Sequence, residues 1–174
     1  SNRQSSLSLS HPSHLLTLSP MYQYLLPLHS LFRWLVLTSL IIAIYRGYRG
    51  WLAARSFSRR DDRIRHYTAT IAHIQLIIGL WLYYISPVIS HFLNHYQEAV
   101  HQRDVRFFGM EHSIMMVLAV VIITLGSMKA KRRSSDTAKF KTMAVWYSLA
   151  LLIILISIPW SFSPMAARPL FRPF

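Results

Sequence analysis

Four apolar runs divide this sequence. Each holds roughly 18–22 residues, and at about 1.5 Å rise per residue a helix of that length crosses a hydrocarbon layer of roughly 30 Å. The runs lie at about Leu28–Tyr45, Tyr67–Ser86, Phe107–Met128 and Met143–Trp160. They are apolar on nearly every helical face, which argues for helices facing lipid and against an amphipathic soluble bundle. The second run closes at Pro87 and the fourth just past Pro159, beside serine and aromatic residues that suit a membrane interface. Most of the five tryptophans fall near these interfaces. The expected fold is therefore an all-α transmembrane four-helix bundle.

Its direction follows from charge. The chain carries a formal net charge of +13 although 53% of its residues are apolar. Between the first two runs, Arg46–His66 holds seven arginines against Asp61 and Asp62, and between the last two, Lys129–Lys141 holds six basic residues against Asp136. Basic charge concentrated in short loops between apolar runs is the positive-inside pattern and not a nucleic-acid-binding surface. Those loops should face the cytoplasm, with both termini outside.

Residues 1–20 read as a Ser-rich extension without the apolar core of a signal peptide, with Met21 a candidate start. Residues 21–162 form the membrane domain and 163–174 an extended tail. Between spans two and three, Val88, Ile89, Phe92, Leu93 and Tyr96 give Pro87–Arg106 the pattern of a helix lying at the outer surface.

Ionisable residues inside a span cost on the order of 2.5–3.5 kcal/mol each, so they belong in the bundle interior with partners. His29, Arg33, His73, Glu111 and His112 are the candidates. His29 and Arg33, spaced i and i+4, share a face of span one in its outer third. Glu111 and His112 lie about one turn into span three from the same side. His73 lies deeper, about seven residues from the cytoplasmic end of span two. Two imidazoles at one depth on separate helices meet the requirement of bis-His haem ligation. His29 and His112 would be the axial ligands, and Arg33 would face a propionate or pair with Glu111. Gly79 and Gly126 allow close helix approach or leave room for a ring. Each residue also has a plainer reading: Arg33–Glu111 as an ion pair fixing register, His29 as an interfacial group, and His73 and Gln75 as interhelical hydrogen-bond partners. His91 and His95, at i and i+4 in the outer loop, have metal-binding spacing but no clear third ligand. The chain has no cysteine, which excludes disulfides, thiolate-held iron–sulfur clusters and covalent c-type haem.

The runs LHSLFRW (Leu28–Trp34), AHIQLIIGLWLYYISP (Ala72–Pro87), RFFGMEHSIMM (Arg106–Met116) and IPW (Ile158–Trp160) resemble a small bacterial four-helix membrane family commonly labelled "cytochrome B". The resemblance covers roughly Met21 to Phe162. It implies a haem b membrane cytochrome with His29, His73 and His112 as the matching histidines. The expected function is electron transfer, with a quinone or within a larger respiratory or photosynthetic complex. The alternatives are a cofactor-free accessory subunit packed in a larger membrane complex, and a proton-conducting module along Glu111, His112 and His73. No glycine-rich phosphate loop or nucleophile elbow points to soluble enzyme chemistry.

Overall fold

The computed structural model describes residues 20–161; the extension before them and the tail expected over 163–174 lie outside the described residues. Within that range all regular structure is helical: α1 (Pro20–Leu52), α2 (Arg59–Ile85), three short helices α3 (Pro87–Asn94), α4 (Tyr96–Ala99) and α5 (Arg103–Arg106), a π-helical turn (Phe107–Glu111), α6 (His112–Arg132) and α7 (Asp136–Ser157). Four helical stretches are long and apolar enough to cross a bilayer, the third running through the π turn from Arg103 to Arg132. The chain is a multi-pass membrane protein folded as a four-helix bundle.

The helices form a ring in which α1 packs on α2, α2 on α6, α6 on α7 and α7 back on α1. Leu35, Ile41, Ile77, Leu80, Leu118, Val121, Leu152 and Ile156 point outward from it, as the lipid-facing surface of a spanning bundle requires. The inside holds Leu40, Ala43, Ile123, Met143, Tyr147 and Ala150, all fully buried. Small residues set the close approaches. A Cβ on Gly126 would collide with Trp146 of α7, so α6 and α7 approach more closely there than any other side chain permits.

The helices outrun the apolar segments. α1 has 33 residues, about 50 Å of helix, where some 18 were expected to span. The basic residues from Arg46 onward and from Arg59 to His66 lie on helical extensions, and only residues 53–58 turn. Arg and Lys are good helix formers, so hydropathy marks where lipid ends and says little about where the helix does. Stop and start signals are local. Ala54 takes a left-handed φ of 46°, and Ser58 forms a capping box with Asp61 at the start of α2. Ser135 caps α7 through its side chain alone, accepting from the Ala138 N–H. α2 ends at Ile85, just before Ser86 and Pro87, and α7 ends at Ser157, short of the expected span end at Trp160.

The outer-surface helix expected over Pro87–Arg106 is broken into three. His95 leaves helical geometry (φ −127°, ψ 42°), and a second break follows at Val100–Gln102. The first piece has the expected amphipathic seating, with Ile89 and Phe92 buried, and a Cβ on Gly109 would strike the Phe92 ring.

Candidate functional site

Two polar constellations occupy opposite ends of the bundle. At the end away from the basic turns, α1 contributes His29, α2 Gln75 and Gly79, and α6 His112. α1 and α6 are diagonal in the ring, so residues on their inner faces meet across its centre. The His29 and His112 ring centres are 6.5 Å apart with planes at 77°. A metal held between two imidazole nitrogens at about 2 Å each places the ring centres roughly 6 Å apart.

His112 is oriented by the end of α7. Its Nδ1 lies 2.8 Å from the Ser157 carbonyl oxygen, so Nδ1 carries the proton and donates, leaving the Nε2 lone pair uncommitted. A backbone carbonyl fixing the far nitrogen is how proteins commonly prepare a ligating histidine. Ser157 O is open because it belongs to the last turn of its helix, where no intrahelical donor follows. Phe107 and Phe108 pack on the same ring at 5.8 and 6.1 Å.

The π turn places this histidine. Its extra residue per turn shifts the phase of everything before it, and the His112 N–H bonds Phe107 O across five residues. Two freed carbonyls find hydroxyls. Tyr83 OH of α2 donates to Gly109 O at 2.9 Å, and Ser113 Oγ donates to Phe108 O at 2.9 Å.

His29 is held differently. Gln75 Nε2 donates to the His29 carbonyl oxygen at 2.9 Å, which fixes the amide orientation, and reaches the His29 ring Nε2 only at 3.4 Å. The second contact is too long to be a strong hydrogen bond. Gln75 Nε2 can only donate, so the tautomer with the lone pair on His29 Nε2 is the one that suits this contact. His29 Nδ1 and Gln75 Oε1 are buried with no hydrogen-bond partner. Gly79 presents no side chain to this ring: a Cβ there would lie 3.0 Å from His29 Cε1.

Arg33 is within electrostatic reach of both rings, its Nη2 donates to Ser30 Oγ at 3.3 Å and its guanidinium lies 5.4 Å from the Trp34 ring centre. The expected Arg33–Glu111 pairing is replaced: Glu111 accepts from Arg106 Nε at 2.8 Å. Depth placed Arg33 and Glu111 at one level, but the π turn swings Glu111 toward the preceding segment. His73, the third histidine implied by the family resemblance, is not brought to the pair. It is exposed on α2, with Nδ1 2.7 Å from Ala69 O and Nε2 3.1 Å from Thr124 Oγ1 of α6. His91 and His95 stack at 4.9 Å, and among the described residues no cluster of three or more His, Asp or Glu can hold a metal ion.

The other constellation lies at the basic end, where sequence reasoning found only a topology signal. Arg65, 4% exposed, donates through Nε and Nη2 to Asp62 Oδ1 (2.9 and 2.8 Å) and through Nη1 to Ser127 O (3.1 Å) and Ser127 Oγ. Its own carbonyl accepts from Tyr147 OH at 2.7 Å. Three helices are thereby tied through one residue. Nearby, Asp61 accepts from Arg46 Nε at 2.8 Å and from Ser58 N–H and Oγ. Burial alone would raise the Asp61 carboxyl; the Ser58 and Arg46 hydrogen bonds outweigh it and hold it below the usual carboxylate range.

No family model, curated protein or solved structure matches the chain.

Proposed function

We propose that this chain is a haem b-binding electron-transfer protein of the bacterial cytoplasmic membrane, acting as a subunit of a larger respiratory or photosynthetic complex with a quinone among its redox partners. One observation carries the reading: two imidazoles from diagonal helices lie in edge contact, ring centres 6.5 Å apart, inside a spanning bundle. The donor set suits the group. Each ring can offer Nε2, His112 because Ser157 O takes its other proton and His29 because Gln75 bonds its Nε2 only weakly. His29 and His112 would hold the iron from α1 and α6. Arg33 would supply the positive charge for a propionate, and the missing side chain at Gly79 lets His29 seat closely against α2, where a Cβ would lie 3.0 Å from Cε1. Bound haem supplies one-electron chemistry. The chain's part is to hold the two rings and to keep them in a low-dielectric interior. The resemblance of Leu28–Trp34 and Arg106–Met116 to the "cytochrome B" family agrees with this reading.

A reduced-minus-oxidised absorption spectrum of protein purified from haem-replete cells tests it. A Soret shift and α band that disappear in His29→Ala and in His112→Ala are expected. A featureless wild-type spectrum would remove the redox reading.

The edge-on ring contact and the Gln75 bond to α1 would also serve a cofactor-free accessory subunit as helix-to-helix contacts. In that case both variants assemble normally and no spectrum changes.

A further inference from the structure

The basic half of the bundle has a groove that the haem reading leaves unused. It lies in the seam between α2 and α6 and encloses about 260 Å³. The seam is open because its facing residues are small or polar: Ala69 and Thr70 on α2, Thr124 and Ser127 on α6. On the neighbouring seam, by contrast, Gly126 accepts Trp146 and closes α6 against α7. We propose that this groove binds one anionic phospholipid of the cytoplasmic leaflet, its phosphate between Lys131 and His66 and the start of an acyl chain running past Thr70 toward His73.

Charge argues for an anionic headgroup. The groove is lined by Arg65, Lys131, His66 and His73 and by no acid. Arg65 has Asp62 as counter-ion, but Lys131 is exposed and makes no ion pair among the described residues. A zwitterionic lipid would bring a second cation with no carboxylate in the groove to receive it. The positive-inside rule puts this end in the leaflet where anionic lipids attract basic side chains.

Depth argues for a lipid over a free anion. Lys131 and Thr124 on α6, like His66 and His73 on α2, are seven residues apart, about 10 Å along a helix. The polar layer of a bilayer is roughly 5–8 Å thick on each side. The groove therefore starts at headgroup level and continues into the hydrocarbon, where the His73–Thr124 hydrogen bond closes its floor at 3.1 Å. Free phosphate would use only the upper part. The inference rests on the chain spanning the bilayer and is independent of haem.

Native mass spectrometry of the full chain in detergent, with added dioleoylphosphatidylglycerol or dioleoylphosphatidylcholine, is the test. The wild type should retain one phosphatidylglycerol and shed phosphatidylcholine. Lys131→Gln should weaken retention about five-fold, and Arg132→Gln, one residue away and outside the groove, should not. Thr70→Trp, at an exposed position, should abolish retention by filling the groove with every charge kept. Equal losses in Lys131→Gln and Arg132→Gln, equal retention of phosphatidylcholine, displacement by millimolar inorganic phosphate, or retention in Thr70→Trp would each overturn the proposal.

Discussion

The two ends of the bundle handle buried polarity in opposite ways. At the basic end Arg65 uses Nε, both terminal nitrogens and its carbonyl in hydrogen bonds to three helices, and Asp61 sits in a capping box with Arg46 beside it. At the histidine end, His29 Nδ1 and Gln75 Oε1 are buried without partners. A buried polar atom left unpaired costs about 1–3 kcal/mol, so the first end is organised for stability and the second carries a deficit.

Four substitutions break or sharpen this contrast. The largest effect is expected at the basic end. Arg65→Met should lower stability in detergent by about 2–3 kcal/mol in thermal unfolding, short of the about 3–5 for a fully buried pair because Asp62 is half exposed. Next, Gly126→Ala should cost about 1–3 kcal/mol by forcing α6 off Trp146, with no effect on any spectrum. Asp61→Asn should cost about 1 kcal/mol at neutral pH. The sign with pH is fixed by the lowered Asp61 carboxyl: its stabilisation is complete above the ordinary carboxylate range and fades as pH falls through the lowered folded value, so the variant's disadvantage should vanish in strong acid. The smallest effect is expected at the histidine end, where His29→Leu removes a ring whose only hydrogen-bond contact is long. The apo protein should change by less than about 1 kcal/mol, in either direction, while all haem is lost. A His29→Leu penalty as large as that of Arg65→Met would erase the difference between the ends.

The spans, the basic turns and the shared level of His29 and His112 were legible in the sequence because each depends on hydropathy or on rise per residue alone. The residues that finish the site were less so. Gln75 could be seen as an interhelical partner, but which atom it would bond could not. Ser157 carries a usable signal, since a carbonyl in the last turn before Pro159 lacks an intrahelical donor. The π turn carries none at single-sequence level, and it decides that Glu111 goes to Arg106 and not to Arg33. Arg65 was hidden for a different reason. Seven arginines in one segment look alike until α2 is extended down to Arg59, after which the helical phase of Arg65 turns it inward against Ser127.

Haem-to-protein stoichiometry, measured on wild type and on His112→Ala purified side by side from haem-supplemented cells, tests the central claim most directly. The two facing imidazoles should give one haem per wild-type chain and none in the variant, with both proteins folded and helical. Equal haem in the two, or none in either, would contradict the assignment of the histidine end as a binding site.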